Sequence, residues 1–521
     1  MKRTLVALLL LLLVAGSSKA QTKVFKEVGE GISSRMRTIF QDGTLVGYLL
    51  FTELEKADKD SFNYRITIMD ENLNDIGLVN FRELKLDLRS VAFEQDVLCL
   101  SYMKSNLLGH EIKKRKEIKA AIAKGYMAIF TQFINLNGKI LRSNTIKVNV
   151  DLDHEYRTGQ LVIGNGGLKE PFRVQNVPGK GFACFYGDNR GKYLLVYDTT
   201  GRQTWQKRVG MDDGDYDMLI SGHAAYFLVK KKHEMVEGGY MAFGFNLDDS
   251  TSFNKYFLKD KKGNQLSVLS FMNDPNTGKP FIAGKIINPR RGKEYGSARL
   301  ISKGAYLGVF TINIDHDKQT TQPIYNYWKS NDTARIANSK GRLLANKSYM
   351  LNGPSFKDYY GNTYFTGSAI KRGINPGMVI AEVLTAPTIF VPTFLLTNFG
   401  TRRMRAYDAL LLKQSADGKL TFENSIPSAH SHSYPGRFNL LLTDNKSYYT
   451  VTSPETKLTH LIITENKNIT FYCVDQKKVT RTIPRVKDNI STMIYPAKEG
   501  HIMVAEYDKK ERATKYSIEA I

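Results

Sequence analysis

The strongest constraint on this chain is a hairpin pattern that it repeats from end to end. An alternating apolar run leads into a short turn rich in Asp and Asn, often with Gly, and a more polar strand follows. The pattern appears at residues 64–78 around Asp70, at 128–138 ending on Asn137 and Gly138, and at 193–201 between Asp198 and Gly201. It returns at 240–249, 306–315, 409–418 and 469–475. Alternation with period two marks half-buried strands, and Asp, Asn and Gly supply the backbone conformations of tight turns. A unit this small cannot bury its apolar side chains alone. It must stack on copies of itself.

The repeat extends from hairpins to four-stranded units. In 172–209 the steps are 172–177, 181–186, 192–197 and 203–209, separated by turn residues such as Pro178, Gly179 and Gly201. The same reading fits 36–83, 90–150, 215–258, 266–328, 348–427 and 438–484. The tail, from Ile490, supplies only three strands, and residues 23–28 near the N-terminus supply a fourth. Closing a ring with strands from both termini removes free sheet edges. The predicted fold is therefore all-β, a β-propeller of four-stranded blades closed by N- and C-terminal strands. The count is eight blades, with seven left open because residues 461–483 divide ambiguously. Two insertions interrupt the blades. Residues 108–125 contain the clearest helix, over 111–124, with Ile112, Ile118 and Ile122 at near-helical spacing and Gly125 to end it. Residues 373–405 are long and apolar, but Pro376, Pro387 and Pro392 argue against a spanning helix. That stretch reads either as a partner-touching loop or as blade strands with a buried connection.

Residues 1–20 read as an export signal: a basic start at Lys2 and Arg3, a Leu-rich run, and small residues at Ser18 and Ala20. The expectation is a single propeller domain over 21–521, periplasmic or secreted, monomeric, with no transmembrane segment after cleavage. Cys99, Cys184 and Cys473 each lie inside an apolar strand, so buried free thiols are expected rather than a disulfide framework. The formal charge is +23. It fits either a solvated Lys-rich surface or an anionic partner, and export makes nucleic acid the least suitable of the polyanions. Lys113, Lys114, Arg115 and Lys116 on the predicted helix are the candidate partner-binding residues, because four adjacent cations cannot be buried unpaired.

Two segments carry family resemblances. Residues 195–205, with Asp198, Gly201 and Trp205, resemble the Asp…Thr-Gly…Trp repeat of quinoprotein-like propellers. Residues 364–367 with Asp408, Asp417 and Gly418 resemble bacterial beta-propeller repeats. Outside the signal, Trp205 and Trp328 are the only tryptophans, so the docking-Trp ring of quinoproteins is missing and no quinone is expected. The whole chain resembles exported propeller-type proteins common in Bacteroidetes in composition and layout, which implies no activity.

Asp213, Asp215 and Asp217 alternate, so on a strand they would share one face, an arrangement that suits Ca²⁺. A solvated interblade turn is the plainer reading, and no cofactor is expected. His430 and His432 lack a third ligand nearby, 164–167 lacks the Lys-Ser/Thr of a phosphate loop, and Asp151, Asp153, His154 and Glu155 read as an acidic loop. Neither a Gly-x-Ser-x-Gly elbow nor a His-Glu-x-x-His pair occurs. No catalytic residue is assigned. The function expected is a non-catalytic exported propeller that binds a protein or an anionic envelope polymer. The alternative is a carbohydrate-active propeller enzyme, a glycoside hydrolase or polysaccharide lyase, drawing two carboxylates from different blades.

Overall fold

The computed structural model describes residues 22–26, 33–58, 60–107, 115–152, 172–210, 214–230, 239–253, 255–290, 301, 303–315, 320–374, 402–428, 431–432 and 446–521. It is a ring of eight antiparallel blades, and one helix lies among the described residues. Blades 1 to 7 span residues 33–84, 86–147, 173–210, 215–257, 266–327, 349–432 and 447–484. Within each, four strands hydrogen-bond in chain order, blade 6 adding Ser431–His432 beside its third strand, and from blade 1 to blade 7 the first strand of one blade packs on the first strand of the next. The unit around 461–483, ambiguous in the sequence, is a complete blade.

Blade 8 is composite. Its strands Ile490–Pro496, His501–Asp508 and Ala513–Ala520 are joined at the outer edge by Thr22–Lys26, in register from Thr22↔Ser517 to Lys26↔Ala513. A short strand, Val486–Lys487, adds to the inner edge. The predicted closure thus holds over residues 22–26. Glu27 and Val28 lie outside the described residues.

The core is made at the seams between blades. In the second strand of blade 1, Leu49 and Phe51 face blade 2, packing with Leu98, Leu100 and Tyr102. The alternate residues, Tyr48 and Leu50, face blade 8 and pack with Met503, Ala505 and Tyr516. Both faces of such a strand are buried, so its sequence is continuously apolar. The outermost strands keep one wet face, and Gln203–Gly210 accordingly alternates in exposure. The Tyr48 hydroxyl is withdrawn from water and donates to the carbonyl of Pro496 at 3.2 Å, tying blade 1 to blade 8.

All three cysteines sit in these buried middle strands as free thiols. Burial pushes the Cys99 and Cys184 thiols well up. The helix α1, Arg115–Ala123, leaves blade 2 between its second and third strands. Ala121 and Ile122 dock it on the seam between blades 2 and 3. Residues 111–114 of the predicted helix lie outside the described residues. The apolar stretch beginning at Gly373 enters and leaves as paired strands of blade 6, with Gly373↔Arg403 and Ile374↔Arg402. Its three prolines lie outside the described residues.

Candidate functional site

Each blade sends its chain to two ends of the ring in alternation. First-to-second and third-to-fourth turns lie at one end, while second-to-third turns and the connections between blades lie at the other, with α1. The helix end is strongly basic. Lys116, Lys119 and Lys124 are exposed on and after α1. The connection from blade 4 to blade 5 carries Lys259, Lys261 and Lys262 against Asp260. The connection from blade 5 to blade 6 carries Lys329, Arg335, Lys340, Arg342 and Lys347 against Asp332. At the opposite end, among the described residues, carboxylates match or exceed the cations, because many turns there carry one: Asp42, Asp70, Asp96, Asp198, Asp249, Asp274, Asp358, Asp417 and Asp475, of which Asp70, Asp198, Asp249, Asp274, Asp358 and Asp417 cap their own turn.

Those turns show why acidic residues collect there. The Asp358 Oδ1 accepts from the N–H groups of Tyr360 at 3.0 Å and Asn362 at 2.8 Å, and its Oδ2 accepts from the Asn362 side chain at 2.8 Å. Asp70 makes the same three bonds to Asn72 and Asn74. A side-chain carboxylate that caps two or three donors fixes the hairpin without help from the core. Similar Asp turns occur at the helix end, as at Asp260, but there the surrounding lysines outweigh them.

The innermost strands are laced to one another rather than left open. Asp87, buried, accepts from Arg35 of blade 1 at 2.7 Å and from Arg89 at 2.9 Å. Ser90 bonds the backbone of Val174, and Gln175 bonds the backbone of Met218 and Ile220. Asp215 and Asp217 lie on the inner strand of blade 4 at alternate positions, as expected, but Asp217 is ion-paired with Arg173 of blade 3. Desolvation still raises the Asp217 pKa against that guanidinium. Asp213 lies outside the described residues, and no group of three metal-ligating side chains occurs among those described.

Of the four candidate cations, Lys116 is exposed on α1. Arg115 begins the helix, and Lys113 and Lys114 lie outside the described residues. His432 sits on a short strand paired to Arg405, while His430, Asp153, His154, Glu155 and 164–167 lie outside the described residues. No described helix is long and apolar enough to cross a membrane.

A pocket that the sequence did not announce opens at the helix end, in the seam between blades 5 and 6. It is shallow: with the open solvent at its mouth it spans about 400 Å³, but the space that admits the centre of a water-sized sphere is only about 20 Å³. Tyr306, Trp328, Met350 and Leu412 are among the residues of its floor, and Lys285, Lys340 and Asn352 supply its polar groups. Lys285 is buried, with Nζ 3.9 Å from the centre of the Tyr306 ring. Residues 328–348, the connection that builds one wall, have no regular hairpin period, so nothing in the local pattern marks them. Trp328 near a turn of Asn and Gly was the one available signal.

Fold and site together define the protein as a β-propeller with one basic end. A family model described as "Family of unknown function (DUF6770)" matches residues 1–116. No curated protein matches the chain. Among solved structures, the Dos1 propeller is 7% identical, with a TM-score of 0.42 over 95% of this chain and 94% of that chain. Apo AztD from Citrobacter koseri is 10% identical, with a TM-score of 0.36 over 91% and 96%. A europium-containing methanol dehydrogenase is 10% identical, with a TM-score of 0.39 over 97% and 94%. These likenesses concern the run of the backbone and carry nothing about ligand or reaction.

Proposed function

We propose that this is an exported, non-catalytic propeller that binds an anionic envelope polymer, an acidic polysaccharide, on its helix end. The observation that carries the reading is the sorting of charge between the two ends of the ring. Charges of one sign gathered on one rigid face raise the local concentration of an opposite polyion and orient its approach. The proposed contact takes in Lys113, Lys114, Arg115 and Lys116 together with Lys119 and the connections into blades 5 and 6. The engagement of Asp87 and Asp217 by arginines supports binding over catalysis, since neither is a free acid or base as placed.

The test is retention on immobilised polygalacturonate over a salt gradient. Surface attraction is screened over about 8 Å at physiological ionic strength, so retention should fall steeply with salt. Replacing Lys259, Lys261 and Lys262 with Gln should release the protein at clearly lower salt. Replacing Lys139, Lys419 and Lys478, exposed at the opposite end, should change little. Equal effects from the two sets would refute the assignment to one end. Release of new reducing ends from the polymer would instead establish the hydrolase reading, and unsaturated ends the lyase reading.

A further inference from the structure

We propose that Lys357 and Asn313 become joined by an isopeptide bond across the seam between blades 5 and 6, formed by the protein itself with Asp274 as the proton acceptor. The modification is independent of what the helix end binds. It falls at the opposite end of the ring, where three side chains from two blades meet. Lys357 ends the innermost strand of blade 6, Tyr349–Lys357. Asn313 lies on the third strand of blade 5, Tyr306–Asp315, and Asp274 in the turn after the first, Leu266–Asn273. The Lys357 Nζ donates to Asp274 Oδ2 at 2.7 Å and to Asn313 Oδ1 at 2.9 Å. One amine therefore rests on a carboxylate and on the carbonyl of an amide at once. A nucleophile, a base and an acyl group held in contact are the parts an amide exchange needs, and holding them so removes most of its entropic barrier.

The surroundings disfavour keeping the charges. Lys357 and Asp274 are 8% and 6% exposed, and the buried ring of Phe281 stands with its centre 4.8 Å from Nζ. Asp274 is held in place by its own turn. Its Oδ1 accepts from the N–H groups of Asn276 at 2.9 Å and Thr277 at 3.2 Å, which leaves Oδ2 to the lysine. This hydrogen-bonded arrangement is that of the reactants. Nζ passes one proton to Asp274 and, as the free amine, attacks the Asn313 Cγ. The new C–N bond forms, a second Nζ proton moves to the amide nitrogen, the old C–N bond breaks and ammonia leaves. Asp274 keeps the first proton. An ammonium and a carboxylate are replaced by a neutral amide and a neutral acid, which removes two charges from an interior where charge is costly. The step needs no oxidant or reductant. The three cysteines are free thiols, and an isopeptide staples two blades without depending on redox conditions.

Mass spectrometry of a tryptic digest, made from the folded full chain after denaturation, tests the bond. Cleavage after Lys357 should fail, and residues 348–371 should appear joined to residues 304–318, lighter than the two peptides together by one ammonia. Lys357→Arg keeps the cation and lacks the nucleophile. It should give separate peptides and a lower melting temperature, because a link between distant positions restricts the unfolded chain as a disulfide does. Asp274→Asn, which lacks the proton acceptor, should leave the peptides unlinked. Separate peptides in the parent protein, with normal cleavage after Lys357, overturn the proposal. A link from Lys357 to residues 263–285 with loss of water also overturns it, since Asp274 is then the acyl donor. Full linkage in Asp274→Asn overturns the part given to that carboxylate.

Discussion

Leu73 occupies, at φ +66°, the turn position that Gly361 occupies at φ +79°. The two turns are otherwise alike, each held by an Asp three residues earlier and an Asn one residue later. A side chain in this left-handed conformation costs about 1–2 kcal/mol. Leu73 is nonetheless 4% exposed, packed at the closure seam with Tyr48, Met69 and Met503. Burial of a leucine returns about 1.5–3 kcal/mol, so the strained residue is retained where the ring closes.

Leu73→Gly should therefore lower stability despite relieving strain, by about 1–2 kcal/mol once the two effects are set against each other. Gly361→Ala should also destabilise, through the backbone alone. Urea unfolding of both variants measures this, and a stabilised Leu73→Gly would mean that the seam relaxes around the loss.

Lys357 and Asp274 form a buried pair across the seam between blades 5 and 6 at 2.7 Å. The Lys357 Nζ also donates to Asn313 at 2.9 Å and lies 4.8 Å from the centre of the Phe281 ring. Removing one partner strands the other charge, so Asp274→Asn and Lys357→Met should each cost about 3–5 kcal/mol. The double variant should cost less than the worse single one. A double-mutant cycle on unfolding midpoints decides the coupling, and strict additivity would deny it.

Closure depends on five residues. Deleting residues 22–26 uncovers the edge of Ala513–Ala520 and removes the Phe25–Tyr516 ring contact at 5.7 Å. The expected outcome is a lower melting temperature together with concentration-dependent self-association, seen by light scattering, because a bare edge strand pairs with another chain.

Acid should loosen the turns that a carboxylate caps. Partial burial raises the Asp198 carboxyl, but bonds from the Thr200 hydroxyl and from the N–H groups of Arg202 and Thr200 outweigh it and hold it below the usual value. At Asp260, burial is likewise outweighed by bonds from Asn264, Tyr327 and Lys262. A folded pKa below the unfolded one, about 3.9, gives stability that is present above that value and lost as pH falls through the folded pKa. Asp198→Asn and Asp260→Asn should be less stable than the parent at neutral pH and converge on it in acid. Melting temperatures from pH 7 down to 3 give the comparison, and a constant gap would rule out ionisation as the source.

The cysteines give a simple check of the seams. Native protein should resist thiol reagents, and all three thiols should react in denaturant, since each lies in a buried middle strand.

The sequence by itself determined the blades, their closure and the burial of Cys99, Cys184 and Cys473. These follow from local rules: alternation along a strand, and carboxylates such as Asp198 that cap their own turns within four residues. Only the tertiary structure decided where the charge lies. Along the chain the lysines are spread evenly enough to suggest a merely solvated surface. In space they separate, because consecutive turns point to opposite ends of the ring and the lysines favour alternate ones. Summing charge over alternate turns would have exposed this, but only after the strands had been counted correctly. The Arg173–Asp217 pair and the Lys285–Trp328 pocket join neighbouring blades, where contact depends on how the sheets stack rather than on any spacing in the chain. Hairpins are written in nearest neighbours, whereas a face or a seam is set by the closing of the ring.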